Sequence, residues 1–354
     1  MKKPTAIDLF CGAGGLTQGL KEAGFSVIAA VEFEPRAAGT YQANHPSCRL
    51  FECDIYDLEP RQVMKTLGLR KGALDLLAGC PPCQGFSRMR NRNGGRVVRD
   101  RPKKDLVLRF ADFVEALLPR TVMMENVPGL ETDWRFTHLK SALRKLGYHI
   151  SLSEVRDAQH FGVPQRRKRL ILVASRVGEL SFDTAPEPRQ TVRMTIGSMK
   201  LAGHSGDFLH DAPENRTPHV MAMIRDIPRN GGSRTDLPKA RQLPCHKRTN
   251  GFKDVYGRMS WDAVSPTITG GCFNPSKGRF LHPEEDRAIT LREAALLQTF
   301  PKNYLFPGPL NKQEIALMIG NALPPRFICH HARIIKKALI SESRNKERRS
   351  RYLS

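Results

Sequence analysis

Two stretches of the chain carry residues able to do chemistry. The first is Gly79-Cys80-Pro81-Pro82-Cys83-Gln84-Gly85-Phe86-Ser87. A cysteine there serves either as a nucleophile, since nearby cations readily convert a thiol of free pKa about 8.5 into a soft thiolate, or as half of a redox pair. Two prolines fix the backbone just before Cys83, which suits a side chain that must be aimed. A thioredoxin-like pair needs a helix N-terminus directly after its first cysteine, and the prolines with their polar, basic continuation argue against that. The second stretch is Asp8-Leu9-Phe10-Cys11-Gly12-Ala13-Gly14-Gly15. Its glycines let a ligand approach the backbone closely. Glu32 follows at the spacing of a carboxylate that accepts from ribose hydroxyls, and Asp54, after Phe51-Glu52-Cys53, could accept from an adenine amino group. Each acid alone could be an ordinary strand-end surface group. Together with the glycine turn they favour an adenosine-bearing cofactor without identifying it.

These residues need strand ends to hold them. Short apolar runs predict strands at Thr5 to Phe10, Ser26 to Glu32, Ala73 to Ala78, Thr121 to Asn126, His149 to Val155 and Leu170 to Ala174. Leu16 to Ala23 and Leu106 to Leu118 read as helices between them, the second with Val107, Phe110, Val114 and Leu117 on one face. The alternation predicts an α/β fold, a doubly wound sheet with helices on both faces, and it puts the cysteine block at the carboxyl edge where such sheets bind ligands. From about Val177 to Pro283 the pattern gives way to Pro, Gly, Arg and His, a loop-rich second region. Helical periodicity returns at Leu291 to Gln298 and Gln313 to Ile319, and the final dozen residues read as a solvated basic tail.

The chain has 354 residues, 57 Lys+Arg against 35 Asp+Glu, and a formal charge of +22. Excess cations of this size favour a polyanionic partner through counterion release. The segment after Cys83 is especially basic, with Arg88, Arg90, Arg92, Arg96, Arg99, Arg101, Lys103 and Lys104 against Asp100 alone. Eight scattered cysteines without a secretory leader argue against a disulfide framework, and with Cys80 and Cys83 the one C-x-x-C, no structural zinc or other metal is expected. No run of 18 apolar residues occurs, so no membrane span is expected, and a cytoplasmic location follows.

The block Pro81-Pro82-Cys83-Gln84 with Phe86 and Ser87 resembles the nucleophile motif of the DNA (cytosine-5) methyltransferase family, of prokaryotic restriction-modification type. Further blocks fall in that family's order along most of the chain. Asp8-Leu9-Phe10 with Gly12, Gly14 and Gly15 is similar to its S-adenosylmethionine turn, Glu32 and Asp54-Ile55 to its ribose and adenine acids, and Glu125-Asn126-Val127 to its ENV motif. Gln165-Arg166-Arg167-Lys168-Arg169 resembles Q-x-R-x-R, Arg292-Glu293 with Leu297-Gln298-Thr299-Phe300-Pro301 resembles RE…LQxFP, and Gly320-Asn321-Ala322-Leu323-Pro324-Pro325 resembles the last cofactor-side motif. Glu34, Leu323 and a missing Asn before Leu106 are local departures.

The resemblance implies a Rossmann-like S-adenosyl-L-methionine fold in residues 1–178 with a return at 311–340, a target-recognition domain at 179–310 and the basic tail at 341–354. It implies Cys83, Glu125 and Arg167 as catalytic residues, with Arg167 on the O2 side of the base. Phe10, Gly12, Gly14, Gly15, Glu32, Asp54, Ile55 and Asn321 would hold S-adenosyl-L-methionine, while Gln84, Ser87, Arg88, Arg90 and Arg169 would contact DNA. Cytosine C5 is too weak a nucleophile unaided, so a thiolate must first add at C6, with Glu125 at N3 and N4, and the base must be flipped from the duplex. The expected partner is double-stranded DNA, read by a monomer in a nucleoid-associated, bacterial cytoplasmic setting, with a cognate restriction endonuclease acting separately. The nearest rival is the same chemistry on tRNA, and the intact Cys83, Glu125 and Arg167 speak against a catalytically silent binding protein.

Overall fold

The structure, a computed structural model, describes residues 3–82, 105–182, 185–243, 253–308 and 310–352, with side chains through residue 345. Cys83, Gln84, Ser87, Arg88 and Arg90 lie outside the described residues. Contacts divide the chain into two compact units. The first comprises Met1–Asp157, Lys168–Ala185 and Phe327–Ser354, and the second Ala158–Arg167 and Pro186–Arg326.

The first unit is built on seven strands, β1 (Thr5–Leu9), β2 (Ser26–Glu32), β3 (Arg49–Glu52), β4 (Leu76–Gly79), β5 (Thr121–Asn126), β6 (His149–Asp157) and β7 (Lys168–Ser175). Their order is β3-β2-β1-β4-β5-β7-β6. β1 to β5 run parallel, while β7 is antiparallel to both its neighbours. The order reverses between β1 and β4, and open α/β sheets bind ligands outside the carboxyl ends of the strands at such a switch point. In register, Leu9 pairs with Gly79 and Gly79 with Met124, so the glycine turn and the cysteine block leave the sheet side by side. Because β7 runs the other way, it starts at this edge, and Leu170 pairs with Asn126.

Among the described residues five α-helices lie between these strands: α1 (Gly15–Ala23), α2 (Pro35–Asn44), α3 (Pro60–Leu67), α4 (Leu106–Leu117) and α5 (Trp134–Lys145). Ile7 and Leu9 of β1, Leu77 of β4, and Val122 and Met124 of β5 form one buried core with Val63 of α3, Phe110 and Phe113 of α4, and Phe136 and Leu139 of α5. The intervening Asp8 points to the opposite face, where the Thr17 hydroxyl of α1 donates to its Oδ2 at 2.7 Å. Helices therefore cover both faces, as the alternation predicts.

β4 begins later than its apolar run because Asp75 turns aside, accepting from Thr5 N at 2.8 Å and pairing with Arg120. Residues expected as a solvated tail continue a helix, Pro325–Tyr352, and its Glu342 pairs with the same Arg120.

The second unit has short helices, among them Pro218–Asp226, Leu291–Leu297 and Lys312–Asn321, joined by long irregular segments. Its organiser is Arg258, fully buried, which donates to the carbonyls of Ile224, Ile227, His282 and Glu285 and to the Asp286 carboxylate. Met223, Ile224, Ile227, Leu237, Tyr256 and Leu281 form a hydrophobic cluster in this unit. Among the described residues no helix is long and apolar enough to cross a membrane.

Candidate active site

The carboxyl edge of the first unit assembles most of the acids that the sequence singles out. After β1 the backbone turns through Phe10, Gly12 and Gly14, at φ values of 65°, 54° and 94°. Glycine adopts these angles freely, whereas Phe10 does so at some cost. A side chain at Gly12 would meet nothing within 4 Å, so open space lies beside the turn. Gly14 caps α1 with no side-chain acceptor of its own, and of the first-turn amides that of Thr17 donates to the Asp8 carboxylate.

Glu32 ends β2 and is held on three backbone amides, with Oε2 accepting from Gly12 N at 2.8 Å and Oε1 from Phe33 N at 3.0 Å and Glu34 N at 2.9 Å. Burial nevertheless raises its pKa, the amides opposing the shift. Beside it Phe33 is 67% exposed, an aromatic face turned to solvent that the sequence motifs do not name. Its one sequence signal is its position directly after the strand-end acid. Asp54 follows β3, fixed by Tyr56 N donating to Oδ1 at 3.0 Å, and Ile55 is buried in the core. Beneath the turn Asp8 is fully buried, and burial pushes its carboxyl up to about 7. Its Oδ1 accepts no hydrogen bond among the described residues.

The β4 and β5 ends meet next. A Cβ at Gly79 would lie 2.9 Å from both the Leu9 carbonyl and the Phe110 ring, so only glycine lets these elements close. Asn126 Nδ2 donates to Pro81 O at 2.9 Å, while its Oδ1 accepts from Val127 N at 2.9 Å. The amide thereby ties the prolines that precede Cys83 to the end of β5. Glu125, 7% exposed, lies 2.8 Å from Arg169 Nε and also accepts a hydrogen bond from the Cys80 thiol. Burial, then the Glu125 and Asp8 charges, hold the Cys80 thiol pKa well above its usual value, so this cysteine stays protonated.

The arginines part company across the unit boundary. Arg169, expected on DNA, is the arginine beside Glu125. Arg167, expected on the base, belongs to the second unit, where its buried guanidinium donates to the carbonyls of Ile268, Gly320 and Ala322 at 3.0–3.1 Å. Gln165 donates to Leu297 O and accepts from Ile268 N, and Gln298, which accepts from Gln165, donates to Ile319 O and Ala322 O. A Cβ on Gly320 would fall 2.2 Å from the Thr269 carbonyl carbon. Three of the motifs are thus knotted together inside the second unit, and Asn321 is exposed at the end of its helix there. Elsewhere in this unit His282, Glu285 and Glu293 bring ligand-type atoms together, but Arg287 donates to both carboxylates and makes the cluster an ion-pair network.

Residues 5–337 match a family model described as C-5 cytosine-specific DNA methylase. The Type II methylase M.HgiDII of Herpetosiphon aurantiacus is 38% identical over 94% of each chain. The Type II methyltransferase M1.HphI of Haemophilus parahaemolyticus is 33% identical over 96% of this chain and 88% of its own. A crystal structure of a DNA modification methyltransferase encoded within an E. coli prophage superposes with a TM-score of 0.67 at 23% identity, covering 95% of this chain and 99% of that one, a likeness of fold.

Proposed function

The chain belongs to the C-5 cytosine-specific DNA methylase family and is therefore a DNA (cytosine-5) methyltransferase, and on that premise we propose that it modifies a flipped-out cytosine in a short duplex sequence through a bond between Cys83 Sγ and C6. The observation that carries this reading is the β5 edge, where Glu125 stands beside Arg169 and Asn126 holds Pro81, two residues before Cys83. The residues of the first unit fit S-adenosyl-L-methionine. Open space at Gly12, the turn through Phe10, Gly14 and Gly15, the Glu32 carboxylate, the exposed Phe33 ring, and Asp54 with Ile55 would hold its turn-side, ribose and adenine portions. When bound, that donor supplies an electrophilic methyl group.

In this reading the Cys83 thiolate adds to C6 and makes C5 electron-rich, while Glu125 meets N4 and donates a proton at N3. N4, N3 and O2 follow one another along a single edge of cytosine, so a carboxylate with a guanidinium 2.8 Å away matches that edge, and Arg169 rather than Arg167 takes the O2 side. Arg167, with Gln165, serves as scaffold. Once C5 carries its methyl group, N3 returns its proton to the Glu125 carboxylate, water as base takes the C5 proton, and that C–H pair re-forms the C5–C6 double bond as Cys83 leaves as thiolate. The base has to leave the stack because C6 is otherwise covered.

Gln84, Ser87, Arg88 and Arg90 would contact the DNA, and the second unit would read the target. The enzyme would act as a monomer on nucleoid DNA in a bacterial cytoplasm, within a restriction-modification system whose cognate endonuclease acts separately. Tritiated donor offered with duplex DNA or with tRNA tests the substrate, and label in tRNA alone rejects it. Cys83→Ser should abolish turnover and the covalent trapping on 5-fluorocytosine DNA while donor binding persists; trapping that survives assigns the nucleophile elsewhere.

A further inference from the structure

The segment after β3 has no regular secondary structure, yet it carries Asp54. Its apolar feet, Ile55 and Leu58, are buried in the core. The backbone of those same two residues is held by one side chain from α4. Arg109 Nε donates to Ile55 O at 3.1 Å and its NH2 to Leu58 O at 2.9 Å. The guanidinium carbon lies 5.9 Å from the Tyr56 ring centre and 5.3 Å from that of Phe113, which locks the planar fork between two aromatic rings. Tyr56 in turn donates its N–H to Asp54 Oδ1.

Two other partners, Asp112 and Glu59, are ion pairs with carboxylates 57% and 73% exposed. Exposed pairs of this kind contribute little. The two carbonyl bonds of a nearly buried guanidinium are the contacts that select arginine, because lysine cannot present two fixed donors.

We propose that Arg109 is a positioning residue for the adenine end of the donor site, clamping the Ile55 and Leu58 carbonyls so that the Asp54 carboxylate is aimed at the adenine amino group. The inference rests on the reading of Asp54 as the adenine acceptor. It couples donor recognition to α4, the helix that begins where the segment bearing the nucleophile ends.

The test compares S-adenosylhomocysteine with S-inosylhomocysteine, whose purine carries an oxygen that cannot donate in place of the amino group. Dissociation constants would be measured by calorimetry on the whole protein. Wild type should prefer the adenine compound by about tenfold or more, the weight of one hydrogen bond to a charged group. Arg109→Met and Arg109→Lys should both lose that preference to within about threefold, by weaker binding of the adenine compound alone, and in turnover the defect should appear in donor KM. Asp112→Asn should keep the full preference. Arg109→Lys retaining full discrimination overturns the proposal, and it decides the matter should the methionine variant fail to fold. A loss of discrimination in Asp112→Asn equally overturns it, by assigning the effect to ion pairing. A wild type that does not discriminate overturns the reading of Asp54 instead.

Discussion

Asn126 offers the sharpest test of how the fold would aim the proposed nucleophile, Cys83. Its buried amide is bifunctional, donating to Pro81 O and accepting from Val127 N, both at 2.9 Å. Asn126→Asp keeps the shape and the acceptor but sets a carboxylate oxygen against the Pro81 carbonyl oxygen. Asn126→Ala leaves both backbone groups without their partner. Each orphaned buried group costs about 1–3 kcal/mol, so the alanine variant should lose about 2–6 kcal/mol of folding stability and the aspartate variant, which buries a carboxylate against a carbonyl oxygen, a comparable amount. Catalysis should suffer more in the aspartate variant than its stability implies, because repulsion pushes the prolines away from β5. A displacement of about 1 Å can cost about a hundredfold in rate, equivalent to about 2.7 kcal/mol of activation free energy. Single-turnover methyl transfer at saturating donor reads the chemical step, and urea unfolding reads the stability. An aspartate variant that unfolds at lower urea yet transfers methyl within about threefold of wild type would refute the idea that this amide aims Cys83.

Arg258→Met should destabilise the protein by about 3–5 kcal/mol, since four carbonyls and the Asp286 carboxylate lose a buried cation; an unchanged urea midpoint would contradict its role as organiser of the second unit. Asp8 gives a pH signature. Burial raises its carboxyl from 3.8 to about 7, so the folded chain keeps a proton that the unfolded chain releases, and the stability from this site is present below 3.8 and lost as pH rises through about 7. His45 and His331, lowered by burial from 6.5 to about 4 and about 3, act in the opposite sense, contributing stability above 6.5 that is lost as pH falls towards those values. Asp8→Asn should therefore gain on wild type between about pH 5 and about pH 8 in urea midpoints, and an equal difference at both pH values would exclude the buried proton.

Strongly periodic and glycine-marked elements were legible from sequence. Ser26–Glu32 and Thr121–Asn126 coincide with their apolar runs, and the turn at Gly12 and Gly14 stands where its glycines require it. β3 was legible only as the end before Asp54, because Arg49–Glu52 is a short edge strand with no fully buried position. Pro35–Asn44 hides a helix behind Gly39 and a weak apolar face, although Glu34 caps it by accepting from Ala37 N. The long C-terminal helix was unreadable as such because its charges mimic a solvated tail, and among the described residues Arg120 binds it through Leu339 O, Glu342 and the Ser343 hydroxyl. Among five consecutive polar residues from Gln165, spacing cannot tell which arginine meets Glu125. The antiparallel entry of β7 decides that, by placing Arg169 on the strand and Arg167 outside it.

The chain passes between its two compact units at four points, after Asp157, Arg167, Ala185 and Arg326. Replacing residues 186–326 by splicing at Ala185 and Arg326 would leave behind the ten-residue excursion from Ala158 to Arg167. That excursion carries Gln165 and Arg167, whose partners at Ile268, Gln298, Gly320 and Ala322 would arrive with the donor cassette. A folded hybrid must therefore preserve this small polar lock, and chimeras that ignore it should misfold.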